Sequence, residues 1–390
     1  MENKLWKKDY ELNKEIEKFT VGNDYLLDYK IVEFDCLGSI AHAKMLEKIG
    51  VLNSKEVHEV VKGLKTIMKL HSQGKFKITL ENEDCHTAIE NYLGTVGKKI
   101  HTCRSRNDQV LTALYLYEKD ELFKTKELVV NFKKALEKTI EKYGTINMPG
   151  YTHMQKAMPT TIEVWLGSFI SACKDDIELI NSVLKLINKS PLGSAAGFGV
   201  PVFKIDKEMT AKELGFAKVM DNPLYSQMSR GKYTSIILNL LSQVMFDLNK
   251  LATDLLLFST QEFGYLSLPK ELCTGSSIMP QKNNPDVLEL VKGQYHVVLG
   301  EEFKVKSLIS NSISGYNREI QLTKEPLFNS IDITKKCLKI MTLVVNKLKV
   351  NKENCKKAMT KELYATENAY KLVKKGIPFR EAYKEINKKL

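Results

Sequence analysis

The sequence predicts an all-α protein built round a few very long helices, and three observations carry that reading. All ten prolines lie at or beyond Pro149, so none interrupts a helix before that point. Arg106 to Tyr143 holds neither Gly nor Pro, while its apolar residues recur largely at helical spacing. Strand signals are poor by comparison.

The first long element runs from Arg106 to Tyr143, with Val110, Leu111, Leu114, Tyr117, Leu122, Leu128, Val129, Phe132, Leu136 and Ile140 on its apolar positions. Its 38 positions would make a rod of roughly 60 Å at about 1.5 Å per residue. Thr160–Lys189 is the next candidate. A short apolar run, Phe198-Gly-Val-Pro-Val-Phe203, could form a small hairpin. Lys232 to Phe263 follows, apolar on nearly all sides, which marks a buried helix. Asp286–Leu308 is a further helix despite Gly293 and Gly300. Helices this long and this apolar need more partners than one chain supplies, so subunits are expected to share a bundle.

The 390 residues are 43% hydrophobic and 27% charged, the composition of an ordinary globular protein of two or three structural units. No apolar run is long enough to span a membrane, and the start lacks the apolar core of a signal peptide. A cytoplasmic protein without membrane contact is therefore expected. Seven scattered cysteines, none with CxxC spacing, argue against a disulfide framework or zinc knuckle. The net charge of +12 comes from lysines spread along helical stretches with Glu, and no nucleic-acid motif accompanies it.

Three segments carry chemistry. Gly275-Ser-Ser-Ile-Met-Pro-Gln-Lys-Asn-Asn-Pro-Asp286 offers hydroxyls, backbone N–H groups and one cation near a helix start, a plausible seat for a carboxylate. It fits G-S-S-x-M-P-x-K-x-N-P at eight fixed positions, a chance match of roughly one in 10^10 per starting point. Gly150-Tyr-Thr-His-Met-Gln155 sets His153 between Thr152 and Gln155. His101-Thr-Cys-Arg-Ser-Arg-Asn-Asp-Gln109 places two arginines and an asparagine at the start of the 38-residue helix, where charge, forked donors and the helix dipole suit an anion.

The first string resembles the signature loop of the fumarase/aspartase superfamily. With HTxRSRNDQ, GYTHxQ, the Gln of MPQK and Tyr316-Asn-Arg-Glu-Ile-Gln-Leu-Thr-Lys-Glu-Pro326, the chain resembles the argininosuccinate lyase branch. The likeness extends from Asp35 and Gly38–Ala43 through Glu83–Ala88 to Gly376–Ala382. It implies a three-part all-α lyase fold, with an N-terminal helical domain at 1–103, a long-helix domain at 104–345 and a shortened helical domain at 346–390. It also implies a homotetramer with a 20-helix core and active sites built from three subunits.

The resemblance further implies the reversible cleavage of argininosuccinate to L-arginine and fumarate, with no metal and no organic cofactor. By the same likeness Ser276 would take the Cβ proton, activated by Lys282 and backbone N–H groups. Lys282 and Asn284 would hold the carboxylate on which charge develops. His153 would assist proton transfer, and Glu289 would hold that histidine in one tautomer. Ser39, Arg106, Asn107, Thr152, Tyr316, Gln321 and Lys324 would bind substrate, with Asp84 and His86 as weaker candidates. A substrate with three carboxylates, an amine and a guanidinium needs such a mixed set.

Several positions depart from the pattern. Leu5-Trp-Lys-Lys-Asp-Tyr10 stands where many relatives have L-W-G-G-R-F. Cys103 replaces a glycine, and would strain the turn if the backbone there needs a positive φ. Asn222–Tyr233 keeps Arg230 but loses the acids around it, and Leu322 and Thr323 replace an acidic pair beside Lys324. Relatives are also expected to continue for some tens of residues past the position of Leu390. The competing readings are a sister lyase acting on adenylosuccinate, aspartate or malate, a non-catalytic crystallin-like protein on the same fold, and a basic nucleic-acid binder.

Overall fold

The computed structural model describes residues 12–390, so the departure at Leu5–Tyr10 lies outside the described residues. The helices follow in order as α1 (Lys14–Val21), α2 (Asp24–Leu27), α3 (Val32–Lys48), α4 (Ser54–Ser72), α5 (Cys85–Leu93), α6 (Gly97–Ile100) and α7 (Arg106–Tyr143). After them come α8 (Ile162–Ile187), α9 (Lys207–Glu213), α10 (Pro223–Phe258), α11 (Asp286–Leu308), α12 (Lys324–Lys347), α13 (Lys352–Lys357), α14 (Ala365–Val373) and α15 (Phe379–Asn387). The protein is all-α, as its sequence predicts, with only short strands. None of the described helices is long and apolar enough to cross a membrane.

α7 and α11 keep the bounds read from sequence. α10 instead starts at Pro223, nine positions before the expected Lys232, and stops at Phe258. Asn222 explains the early start, because its side chain accepts from the Tyr225 N–H at 2.9 Å and Pro223 needs no N–H partner in the first turn. Gly231 then lies inside the helix, where Ile309 fills the place a side chain would take.

The chain divides into two compact units. The first takes the residues up to Lys124, with Ile180–Asn239 and Gly300–Ile331. Its core is set by α3, with Cys36, Ala43 and Leu46 fully buried and Gly38 close to Thr112 of α7. α4 is anchored by a capping box between Asn53 and Glu56. Asp108, in the first turn of α7, is fully buried and accepts from the backbone N–H groups of Ser105, Gly193 and Ala195 at 2.8–2.9 Å.

The second unit takes Thr125–Leu179, Leu240–Leu299 and Asp332–Leu390. Leu241, Val244, Met245 and Leu248 of α10 are buried there, with Met341 and Val345 of α12. The expected hairpin at Phe198–Phe203 does not form. Pro201 and the left-handed backbone of Gly199 and Val202, at φ 76° and 70°, leave that segment irregular. A hairpin forms instead from β1 (Asn147–Thr152) and β2 (Gln155–Thr161), antiparallel, with a register shift between Pro149 and Tyr151.

Candidate active site

In the first unit a cavity is lined by Arg106, Asn107, Tyr316, Gln321 and Lys324, five of the residues singled out in the sequence. Arg106 opens α7 and reaches Asp84 at 2.8 Å and Glu83 at 3.3 Å. Lys324 is 2% exposed and sits between Asp28 at 2.7 Å and Asp24 at 2.8 Å. Burial favours the neutral amine, but Asp28 and Asp24 outweigh it and hold the Lys324 ammonium above its ordinary value. The same balance runs the other way at Asp28. Burial would raise its carboxyl, yet Lys324, His86 and the Cys85 N–H hold it down.

His86 also lines the cavity, and its Nδ1 lies 2.6 Å from Asp35. Burial disfavours the imidazolium, but Asp35 with Asp84 and Asp28 raises its pKa. Asp35 is steadied by Gln109 at 2.8 Å and by the Ser39 hydroxyl at 3.4 Å. Ser39 itself is fully buried, accepts from Arg104 at 2.9 Å and does not line the cavity. Cys103 adopts φ 64°, the left-handed conformation its glycine-like position suggests.

One cluster of possible metal ligands stands out among the described residues, formed by Asp28, Cys85 and His86. Its donors are committed elsewhere. Asp28 holds Lys324, His86 holds Asp35, and burial pushes the Cys85 thiol well above its ordinary value. The group is poorly suited to a cation.

The other predicted residues belong to the second unit. Thr152 and His153 sit at the exposed tip of the β1–β2 hairpin. The two-residue turn, His153 and Met154, has φ 53° and 61°, the signs of a type I′ turn. Such turns favour Asn-Gly, so a His-Met pair there holds backbone strain of a kind that gathers at functional sites.

Ser276, Lys282 and Asn284 share one loop, closed at its base where Thr274 and Asn284 exchange backbone hydrogen bonds of 2.9 and 2.8 Å. Ser276 Oγ accepts from the N–H groups of Met279 at 3.2 Å and Ile278 at 3.4 Å. Lys282 is exposed and makes no ion pair among the described residues. Glu289 is exposed on the first turns of α11, with no hydrogen bond to His153 among the described residues.

Sequence reasoning missed Asp24, Asp28 and Glu83 on the cavity wall. The signal was present, since Asp24 and Asp28 are four apart, the spacing that brings two carboxylates to one side of a helical turn.

A family model described as "Lyase" matches residues 10–300. An argininosuccinate lyase of Thermotoga neapolitana is 50% identical over 393 aligned positions, covering 100% of this chain and 98% of that protein. The chain belongs to the argininosuccinate lyase family. Relatives of that name from Bacteroides fragilis and Sorangium cellulosum are each 39% identical and cover 99% of this chain, with 87% and 90% of their own lengths matched. EDDS lyase in complex with formate has a TM-score of 0.83 at 24% identity, covering 97% of this chain and 76% of that one. The class II fumarase from Schistosoma mansoni has a TM-score of 0.80 at 19% identity, covering 95% and 91%. These two likenesses concern the fold.

Lys324, whose neighbours Leu322 and Thr323 carry no charge, finds its acids elsewhere in space. Asp24 and Asp28 stand against Lys324, and Glu118 of α7 acts electrostatically with Arg230. Glu118 is 1% exposed, and burial pushes its carboxyl up to about 8 although Arg230 opposes the rise. An acid raised from 4.5 to about 8 on folding gives stability that is full below 4.5 and is lost as pH climbs through 8. Glu118→Gln, which fixes the neutral form, should therefore melt near the wild type at pH 5 and above it at pH 8.5. Parallel melting profiles at both pH values would contradict this.

Proposed function

We propose that the protein is a carbon–nitrogen lyase cleaving argininosuccinate to L-arginine and fumarate. The observation that carries this is 50% identity along the whole chain to a relative bearing that name. The site chemistry supports it. Removing a proton next to a carboxylate builds a dianionic aci-carboxylate, so pre-placed cations and donors decide the rate.

In this reading Ser276 is the base. Its two backbone N–H donors stabilise the alkoxide, and Lys282, uncommitted to any acid among the described residues, adds charge as substrate arrives. Lys282 and Asn284 hold the developing carboxylate. His153 moves the second proton, and Glu289 orients it once the site is assembled. Arg106, Asn107, Thr152, Tyr316, Gln321 and Lys324 bind the rest of the substrate, while Ser39 acts through Arg104 and Asp35.

A homotetramer in the cytoplasm, with each site drawn from three subunits and the three-part division 1–103, 104–345 and 346–390, completes the proposal. It is supported in the second unit by Val164 of α8 and by Leu290 and Val297 of α11, large apolar side chains left 65%, 67% and 46% exposed in one chain. Light scattering should give the mass of four 44.4-kDa chains, and a monomer would overturn the assembly.

The activity is tested by following fumarate in the ultraviolet when purified protein meets argininosuccinate, with adenylosuccinate, aspartate and malate in parallel. Fumarate from argininosuccinate alone is expected. Release from another substrate would reassign the branch, and silence from a folded tetramer would favour a structural role.

A further inference from the structure

His153 stands at the exposed tip of the β1–β2 hairpin, and among the described residues no hydrogen bond or ion pair holds its imidazole. Its aim is therefore set by the hairpin beneath it. Behind the tip come the Thr152–Gln155 pair and then the Tyr151–Lys156 pair. That second rung is fixed at both ends. The hydroxyls of Tyr151 and Tyr265 share a hydrogen bond of 2.7 Å, and the Lys156 ammonium donates to the Ala358 carbonyl at 2.9 Å. Just before the rung the strand register shifts between Pro149 and Tyr151, an irregularity that bends a strand and re-aims the side chains beyond it.

Tyr265 is itself firmly held. It is 4% exposed, its carbonyl accepts from the Asn351 N–H at 2.8 Å, and Leu266 beside it pairs with Val350. Its ring lies 5.7 Å from that of Phe258 and 5.4 Å from that of Phe263. Tyr151 packs on the same two rings, at 6.0 and 5.8 Å. Those ring contacts would bury both side chains without any hydroxyl. What the hydroxyls add is direction, because apolar packing is non-directional and a hydrogen bond is not.

We propose that Tyr265 is a positioning residue for His153, acting through the hydroxyl of Tyr151. This rests on the proposed role of His153 in proton transfer and extends it to two tyrosines outside the predicted set. A group that moves a proton must sit within about 3 Å of the atom it serves, and a misplacement of about 1 Å can cost about 100-fold in rate. An exposed hairpin tip with no partner of its own meets that demand only if the rung behind it is pinned. The Tyr151–Tyr265 bond pins the strand that carries His153, and the Lys156–Ala358 bond pins the strand that returns from it.

The test removes one oxygen at a time and keeps both rings. Turnover of argininosuccinate by the full-length protein is measured for Tyr265→Phe, Tyr151→Phe and the double variant, each with and without His153→Asn. Tyr265→Phe should lower kcat about 10- to 100-fold and leave KM within about threefold, with the mass of the assembly unchanged. Tyr151→Phe breaks the same bond from its other end, so the double variant should be no slower than either single one. It also serves alone if Tyr265→Phe does not fold. In the His153→Asn background neither change should slow turnover further, since the group being aimed is gone. A kcat within about twofold of wild type would overturn the proposal. So would an equal fall with and without His153, which marks a general structural role. Wild-type turnover in His153→Asn alone would instead remove the proposed role of the histidine, and the positioning role would fall with it.

Discussion

Ser276→Ala and His153→Asn are each expected to lower turnover of argininosuccinate about 10²- to 10⁴-fold while leaving the assembly folded, the range for losing a general acid–base group. The local geometry makes these replacements informative. Ser276 accepts from two N–H groups of its own loop, and the loop is closed by the Thr274–Asn284 pair, which alanine leaves intact. At His153 the backbone is left-handed, and asparagine tolerates that conformation better than most residues. His153→Asn should therefore keep or slightly raise the melting temperature as activity collapses. His153→Gly should do the same with more relief of strain. Near-wild-type turnover in purified Ser276→Ala would remove it as the base. A loss of activity in His153→Asn that tracked a loss of tetramer would reassign the histidine to structure.

Much of the fold was legible because long helices write a strong local signal. α7 and α11 could be bounded from periodicity and from the absence of breakers, since neither depends on distant partners for its limits. The start of α10 is hidden in the sequence because Gly231 looks like a boundary. In the folded chain Ile309, nearly eighty residues on, occupies the space that a side chain there would need. The position of the hairpin is hidden for a related reason. Phe198–Phe203 has the apolar run, but β1 and β2 have the turn, and an unusual His-Met turn carries none of the Asn-Gly signal.

The candidate site was legible as motifs and opaque as electrostatics. Arg106, Asn107, Tyr316, Gln321 and Lys324 converge on one cavity although more than two hundred residues separate the first pair from the rest. What sequence could not supply was the counter-charges. Leu322 and Thr323 suggested that Lys324 had lost its acids, whereas Asp24 and Asp28 stand against it. Arg230 does lack a contact partner among the described residues, and the acids that act on it do so only at longer range. At Lys324 the charge is balanced in space, where a linear reading registers only the loss.

Lys324→Met should be the most destabilising single change in the first unit, by about 3–5 kcal/mol, because it leaves the buried Asp28 and the partly buried Asp24 without their cation. The comparison that isolates the cause is Lys324→Met combined with Asp24→Asn and Asp28→Asn, which removes the unpaired charge and should recover part of the loss. The pH dependence has a definite sign. The folded pKa of Lys324 lies above its ordinary 10.5, so its contribution is complete below 10.5 and is lost only as pH rises through the folded value. Asp28 lies below 3.8 in the folded protein, so its contribution is complete above 3.8 and is lost as pH falls through the folded value. Asp24 runs the other way, its carboxyl raised by burial and by Asp28 against the pull of Lys324. Removing that cation raises both carboxyls further. The gap in unfolding free energy between wild type and Lys324→Met should therefore widen as pH rises from acid towards neutral. A gap that stayed level over that range would mean that neither Asp24 nor Asp28 depends on the Lys324 cation for its ionised form.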